Sequence, residues 1–123
     1  MSLIPKKGTV YVVDDDEAVR DSLQWLLEGK DYRVKCFESA EAFLARFDVR
    51  EVACLICDIR MEGMTGLELQ AEIDRLGCDC AMIVMTAFPT PASQAQALGA
   101  GARAFLTKPI DPDLLLDAIE GAA

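Results

Sequence analysis

Five apolar runs recur along the chain, and the segments between them carry the residue spacing of amphipathic helices. The runs are short and rich in β-branched residues, which is typical of strands buried on both faces of a sheet. We place these strands near Val10–Val13, Val34–Phe37, Ala53–Cys57, Met82–Met85 and Ala104–Leu106. Because strands and helices alternate, the pattern predicts five βα units and an α/β domain with a parallel sheet.

Three of the intervening segments present a hydrophobic stripe that can cover one face of the sheet. The stripes consist of Val19, Leu23, Leu26 and Leu27, then Ala40, Phe43, Leu44 and Phe47, and then Leu69, Ile73 and Leu76. The fourth segment, Pro91–Ala97, is rich in Ala and Gln and has little stripe. We therefore expect a short or mobile helix there.

The predicted helices also carry boundary signals. Gly29 follows the first stripe as a C-terminal cap, and Thr65 with Glu68 three residues later forms a capping box. Asp111 followed by Pro112 is typical of a cap and a first helical position.

Length and charge narrow the class of protein. The chain has 123 residues, 52% of them hydrophobic, which suffices for one domain with a full core. No apolar stretch approaches the ~20 residues of a membrane-spanning helix, and no secretory leader is visible. The net charge of −9 would repel nucleic acid and anionic membranes. We expect a cytoplasmic domain that binds neither nucleic acid nor membrane.

The chain contains no histidine. This removes the commonest general base, the Ser-His and Cys-His nucleophile pairs and the commonest zinc ligand. Chemistry in this domain must therefore use carboxylate, hydroxyl, lysine or thiol groups.

The five cysteines are predicted to be reduced packing residues, because their number is odd and no secretory signal accompanies them. Cys54 and Cys57 lie three residues apart in a predicted strand, so their sulfurs point to opposite faces and cannot share a metal. Cys78 and Cys80 do share a face, but a thiolate metal site there is the less favoured interpretation.

An acidic cluster, Asp14-Asp15-Asp16, directly follows the first predicted strand. Two carboxylates about 4 Å apart repel by roughly 4 kcal/mol at an effective dielectric constant near 20. A bound cation or a raised pKa must offset this cost. A divalent metal ion is the first expectation for this cluster.

Other polar residues end the later strands: Asp58 the third, Thr86 the fourth, and Lys108 with Pro109 the fifth. In open α/β sheets, ligands bind beyond the carboxyl ends of the strands, where strand order reverses. Singly, each residue has a plainer interpretation as a cap, a surface lysine or a β-branched strand residue. Together they supply the acid, metal ligands, hydroxyl and cation that a phosphoryl-receiving site needs.

These motifs resemble the receiver domain of two-component response regulators from about Thr9 to Ile119. The matching segments, in the family's order and spacing, are Val-Val-Asp-Asp-Asp-Glu, Cys-Asp-Ile-Arg-Met around Asp58, Met64-Thr65-Gly66, Met85-Thr86-Ala87 and Phe105-Leu-Thr-Lys108-Pro109. Two further segments are most similar to the FixJ-type branch, whose members usually carry a C-terminal helix-turn-helix: Thr9-Val-Tyr-Val-Val-Asp-Asp and Ser39-Ala-Glu-Ala-Phe-Leu44.

The resemblance implies a flavodoxin-like (βα)5 fold, a doubly wound parallel five-stranded sheet with strand order 2-1-3-4-5. It assigns residues 9–123 to the receiver domain, and it leaves residues 1–8 as a disordered or non-native N-terminal stretch. No effector domain is expected within the chain. Whether a DNA-binding effector follows residue 123 in a longer protein is left open.

The resemblance also implies roles for the site residues. Asp58 would accept a phosphoryl group from a cognate histidine kinase, and Lys108, preceding a cis peptide to Pro109, would pair with the phosphoryl oxygens. Mg²⁺ or Mn²⁺ would be bound by Asp15, Asp58 and the Arg60 backbone carbonyl, with Asp14 acting through water. The activity would be limited to self-phosphorylation and self-dephosphorylation, so the domain would not be an enzyme.

A conformational switch is implied as well. Thr86 would donate a hydrogen bond to the phosphoryl group, and Phe105 would turn inward, although its plain interpretation is a core aromatic. The face formed by the fourth helix, fifth strand and fifth helix would then change, support a homodimer and control an output such as transcription.

Two departures from the family pattern bear on these roles. Met61-Glu62-Gly63-Met64 stands where the family usually has Met-Pro-x-Met, which predicts a looser loop after Asp58. Pro89 and Pro91, just beyond Thr86, would restrain the loop that has to move.

Two rival functions stay open at this point. Asp14-x-Asp16 resembles the nucleophile and acid pair of haloacid-dehalogenase-type phosphatases, but Ala18 stands where that motif wants Thr or Val. A pseudo-receiver, a binding module that is never phosphorylated, is the second rival. The presence of Asp58, Asp15 and Lys108 argues against it.

Overall fold

The computed structural model describes residues 8–121, and the predicted N-terminal stretch, apart from Gly8, lies outside them. Strands and helices alternate throughout this range. The strands are β1 (Thr9–Val13), β2 (Arg33–Phe37), β3 (Val52–Asp58), β4 (Ala81–Thr86) and β5 (Ala104–Thr107). The helices are α1 (Glu17–Glu28), α2 (Ala40–Arg46), α3 (Gly66–Arg75), α4 (Pro91–Gly99) and α5 (Pro112–Ile119).

The five strands form one sheet in the order β2-β1-β3-β4-β5, and every neighbouring pair is parallel. The predicted α/β fold and strand order are therefore confirmed. The register places Val13 of β1 beside Cys57 of β3, and Cys57 beside Val84 of β4. The carboxyl ends of the central strands consequently lie level with one another at one edge of the sheet.

Each face of the sheet has its own hydrophobic core. Side chains of α2, α3 and α4, such as Phe43 and Leu69, cover one face, and those of α1 and α5, such as Leu27, cover the other. Cys57 belongs to the first core and Cys54 to the second, so the two thiols point to opposite faces as predicted. The five cysteines are all free thiols.

The predicted helix boundaries are confirmed, with one difference in detail. Thr65 and Glu68 form a reciprocal capping box, and the Asp111 carboxylate accepts from the first turn of α5. Gly29 does cap α1, but in the ordinary right-handed conformation with φ −64°. Asp31, two residues later, adopts the positive φ of 69°. The left-handed backbone conformation therefore occurs at Asp31, after the cap, and not at Gly29 itself.

The fourth helix is not short. Its nine residues exceed the seven of α2 and the eight of α5, although Ala97 is its single buried residue in the described chain. Thr90 and Ser93 cap its start reciprocally, and Pro91 occupies the first turn. Because capping satisfies the free amides of a first turn, local signals can start this helix without a strong stripe.

Two further features concern the surface. Trp25 on α1 is 80% exposed, which is unusual for the largest apolar side chain. Among residues 8–121, no helix combines the length and apolar character that crossing a membrane requires.

Candidate active site

The site lies where the central strands end. Asp14 directly follows β1, and its backbone amide still donates to the Phe37 carbonyl of β2 at 3.1 Å. Asp58 is the last residue of β3 and pairs with Met85 of β4. Lys108 follows β5, with its amide donating to the Thr86 carbonyl at 2.8 Å. The parallel register thus brings residues from four strands to one edge.

Lys108 bridges two carboxylates at the centre of this edge. Its Nζ lies 2.7 Å from Asp14 Oδ2 and 3.1 Å from Asp58 Oδ2. The lysine side chain is 16% exposed, that of Asp58 7% and that of Asp14 0%. Such charge-assisted hydrogen bonds between buried partners are the strong class of polar contact. The lysine therefore joins the ends of three strands.

The acidic loop after β1 is fixed through Asp14. Its Oδ1 accepts the Asp16 backbone amide at 2.9 Å, and its carbonyl accepts Nη1 of Arg20 at 2.8 Å. Asp16 caps α1 by accepting the Ala18 amide. Asp15, in contrast, is exposed. Hydrogen bonds therefore fix Asp14 and Asp16, whereas Asp15 between them faces solvent.

The electrostatics of the site follow from burial. Desolvation raises the pKa of Asp58, the Lys108 hydrogen bond counters it, and the nearby Asp14 charge adds to the rise. Desolvation alone would lower the pKa of Lys108, but its hydrogen bonds to Asp14 and Asp58 raise it overall. The lysine is therefore held as a cation beside a carboxylate that is costly to ionise.

The three acids fit a hard divalent cation. One carboxylate oxygen from each of Asp14, Asp15 and Asp58 lies within 4.8 Å of the other two. Lys108 binds Oδ2 of Asp14 and of Asp58, while Asp58 Oδ1 has a long contact of 3.4 Å from the Arg60 amide. An oxygen-only donor set of this kind suits Mg²⁺ or Mn²⁺.

The predicted switch residues lie on β4 and β5. Thr86 is buried at the end of β4, and its Oγ1 accepts the Phe88 amide at 3.0 Å. Phe105 on β5 is half-buried and packs against the core formed with α2, α3 and α4. The Lys108-Pro109 peptide is cis. Thr86 and Lys108 therefore lie at the site edge, whereas Phe105 lies further back along β5, opposite Val84 of β4. The switching roles of Thr86 and Phe105 stay predictions.

Similarity to known proteins identifies the family to which this chain belongs. The family model described as "Response regulator receiver domain" matches residues 10–120. The chain belongs to this family. It is a receiver domain of two-component response regulators, and neither rival function is favoured.

The relatives of this receiver domain include transcriptional regulators. It is 40% identical to the transcriptional regulatory protein TdiR of Thauera aromatica, covering 94% of this chain and 51% of that protein. It is also 40% identical to the transcriptional regulatory protein FixJ of Rhizobium meliloti, covering 94% of this chain and 56% of that one. The chain thus spans about half the length of these curated relatives.

Solved structures agree with this assignment. The crystal structure of FixJ-N is 37% identical, with a TM-score of 0.81 over 92% of this chain and 90% of that one. The response regulator StyR is 39% identical, with a TM-score of 0.87 over 93% of this chain and 58% of that one. The resemblance to the FixJ-type branch is therefore confirmed.

Two contacts of the receiver domain were not predicted from its sequence. Arg20 on α1 binds the Asp14 carbonyl, and Glu41 on α2 accepts the Met64 amide of the loop after β3 at 2.8 Å. Both residues lie on helix surfaces, where a charged residue is the normal occupant and carries no signal. The only sequence cue for the Arg20 contact is its position. Arg20 is a basic residue one turn into a helix, and that helix follows an acidic loop.

The loop after β3 also carries a cation–π contact. The Arg60 guanidinium carbon lies 4.7 Å from the centre of the Phe88 ring, which belongs to the loop after Thr86. Contacts of this type contribute roughly 0.5–1 kcal/mol at exposed sites. The two loops that flank Asp58 are therefore joined across the site.

Proposed function

We propose that this receiver domain accepts a phosphoryl group on Asp58 from a cognate histidine kinase, in a reaction that depends on Mg²⁺. The observation that carries the proposal is the position of Lys108 Nζ, within 3.1 Å of both Asp14 and Asp58 at the edge where the acids converge. A cation fixed there can stabilise the charge of a phosphoryl group on Asp58. The kinase must supply the histidine, because the chain has none.

The transfer is a displacement at phosphorus. A carboxylate oxygen of Asp58 attacks, an O–P bond forms, and the P–N bond to the donor imidazole breaks with its electron pair passing to nitrogen. Asp58 is the nucleophile, and Lys108 already contacts one of its carboxylate oxygens, Oδ2, at 3.1 Å. The other ring nitrogen of the phosphohistidine carries a proton, so the imidazole leaves as a neutral group and the second product is an acyl phosphate on Asp58.

Asp15 and Asp58, with the Arg60 carbonyl, would hold the divalent ion, and Asp14 would act through water. When bound, the ion neutralises charge on the phosphoryl oxygens. Asp14 keeps Lys108 directed at Asp58 through its 2.7 Å contact. Asp14 is thus both a member of the acidic set and the anchor of the lysine.

The switch would follow from new hydrogen-bond acceptors at Asp58. A phosphoryl group adds about two negative charges and three acceptor oxygens. The Thr86 hydroxyl, which now accepts a hydrogen bond from the Phe88 amide, can donate a hydrogen bond to one of these oxygens. Phe105 would then move inward and alter the face formed by α4, β5 and α5. A homodimer through this face and control of transcription are the proposed outputs.

The proposed partner would dock beside the site. A groove of about 790 Å³ between α1 and the loop after β5 is lined mainly by apolar residues, including Trp25, Leu26 and Ile110, and reaches Lys108. A kinase docked in this groove would lie beside Lys108, whose Nζ is 3.1 Å from Asp58. We also propose that the domain and this kinase lie in the cytoplasm. The activity of the domain would be limited to self-phosphorylation and self-dephosphorylation, with no turnover of external substrates.

Acetyl phosphate with Mg²⁺ tests the proposal. We expect intact-mass spectrometry to show one added phosphoryl group, peptide mapping to place it on Asp58, and Asp58→Asn to abolish it. Asp74→Asn, which changes an exposed carboxylate on α3, is the control and should label normally. Turnover of a phosphate ester that requires Asp14 would favour the phosphatase instead, and no labelling of the folded wild type would favour a pseudo-receiver.

A further inference from the structure

The loop after Asp58, residues 59–65, is closed tightly at its base. The Ile59 amide donates to the Met85 carbonyl at 3.0 Å, and the Gly66 amide donates to the Ile59 carbonyl at 3.0 Å. A Cβ on Gly66 would collide with the Asp58 carbonyl oxygen. The base of the loop therefore rests directly on the backbone of Asp58.

The far end of this loop is held by a different element. Glu41, in the first turn of α2, accepts the Met64 amide on Oε2 at 2.8 Å. This hydrogen bond is the main reason that the pKa of the Glu41 carboxyl lies below its usual range. Gly63 has φ +77°, and a Cβ there would lie 2.5 Å from Glu41 Oε2. The backbone at Gly63 thus lies so close to the Glu41 carboxylate that only glycine, which has no Cβ, fits there without a shift of the side chain.

The segment between these two ends flanks the reactive group. Arg60 donates its amide to Asp58 Oδ1 and places its guanidinium on Phe88. Glu62 and Gly63 provide no residue of restricted φ in this segment. Its conformation must therefore come from contacts, and the hydrogen bond from the Met64 amide to Glu41 is one of them.

We propose that Glu41 is a positioning residue for the site: by holding Gly63 and Met64, it keeps the segment that contains Arg60 in the geometry that binds a divalent ion at Asp58. The inference rests on the proposed function, because it concerns the same ion and the same acid. Glu41 itself touches neither.

Two substitutions break the contact from opposite sides. Glu41→Ala removes the acceptor, and Gly63→Ala places a methyl group against it. Glu41→Gln keeps a neutral acceptor and should recover most of the wild-type behaviour. Gly77→Ala is the control for backbone strain, since Gly77 has φ +73° but no atom within 4 Å of the position that a Cβ would take. Glu38→Gln is the control for charge, because it alters an exposed carboxylate just before α2.

Three readouts separate positioning from general stability. In Glu41→Ala and Gly63→Ala we expect amide hydrogen exchange in residues 59–64 to rise about tenfold. The dissociation constant for Mg²⁺ alone, measured by calorimetric titration, should rise about three- to tenfold, as the loss of a charge-assisted hydrogen bond allows. The rate of labelling by acetyl phosphate at fixed Mg²⁺ should fall by a similar factor. Both controls should match the wild type in all three.

Wild-type exchange and wild-type Mg²⁺ affinity in both folded variants would overturn the role of Glu41, and so would equal effects in Gly77→Ala. A wild type that binds Mg²⁺ but gains no phosphoryl group would instead overturn the proposed function. The exchange and titration experiments do not depend on phosphorylation, so the two failures are distinguishable.

Discussion

At the scale of the residue, Asp58 determines the chemistry of the site and also lowers the folding stability of the domain. Its carboxylate is buried at the end of β3, and Lys108 offsets only part of the desolvation. A carboxyl group that keeps its proton more tightly when folded than when unfolded lowers stability once the pH exceeds its ordinary pKa. The acid that the reaction requires is therefore destabilising in the absence of a ligand.

Asp58→Asn should consequently stabilise the metal-free domain. In buffer without divalent ions at pH 7, we expect the variant to melt a few degrees above the wild type. The difference should shrink as the pH falls through the raised pKa of Asp58 and vanish below the ordinary carboxyl value of about 3.9, where the carboxyl is neutral in the folded and the unfolded state. Thermal melts across this range, with Asp74→Asn as control, measure the effect. A variant that melts lower than the wild type at pH 7 would contradict it.

The residues that were predictable from sequence share one property. Asp14, Asp58, Thr86 and Lys108 each end an apolar run, so the parallel sheet alone brings them to a common edge. Glu41 is different, because it reaches the site through a loop conformation that no local pattern specifies. Sequence patterns thus located groups attached to strand ends and missed a contact that depends on tertiary packing.

At the scale of the element, α4 is lightly attached to the rest of the molecule. Ala97 is its buried residue, and the Ala97 carbonyl accepts Nε2 of the buried Gln70 on α3 at 2.9 Å. The same carbonyl also accepts the Ala102 amide at 3.0 Å. The Gln70 amide therefore ties α4 to α3, and α4 is the helix whose face the proposed switch must change.

Gln70→Met keeps the side-chain volume and removes this hydrogen bond. A hydrogen bond of this kind contributes about 1 kcal/mol, so amide exchange in α4 should rise about fivefold. Exchange in α1 should stay as in the wild type. Gln24→Met, which removes an exposed contact to Glu28 within α1, is the control and should leave α4 unchanged. Hydrogen exchange with mass spectrometry measures both, and unaltered α4 protection in Gln70→Met would show that this hydrogen bond does not stabilise the helix.

The helix itself illustrates what a periodicity argument can miss. The weak stripe of Pro91–Ala97 predicted a short or mobile helix, yet α4 is not short and extends to Gly99. Capping by Thr90 and Ser93 fixes its start, and the Gln70 contact supplies attachment that hydrophobic spacing does not register. Both are polar interactions, which a hydrophobic pattern cannot represent.

At the scale of the whole molecule, the acidic site couples ion binding to folding. The domain has a net charge of −9, and three of its acids converge within 4.8 Å. An ion that binds only the folded state stabilises it by mass action, by about 2.7 kcal/mol at 100 times the dissociation constant. Folding stability therefore reports on the integrity of the site.

Millimolar Mg²⁺ should raise the melting temperature of the wild type. Asp15→Asn should melt higher than the wild type without the ion, because one repulsive charge is gone, and should lose the Mg²⁺ response. Asp74→Asn should keep that response. Calorimetric melts with and without Mg²⁺ provide the measurement. A full response in Asp15→Asn would locate the ion away from this cluster.

Trp25 has a consequence for optical spectroscopy of this domain. It is the only tryptophan of the chain, and it already faces water in the folded state. Its emission will therefore change little on unfolding, and circular dichroism is the better signal for the melts. Since the indole borders the groove beside Lys108, the same emission should shift to shorter wavelength when a second protein covers that groove. The molecule thus carries a native fluorophore that is insensitive to folding and sensitive to docking.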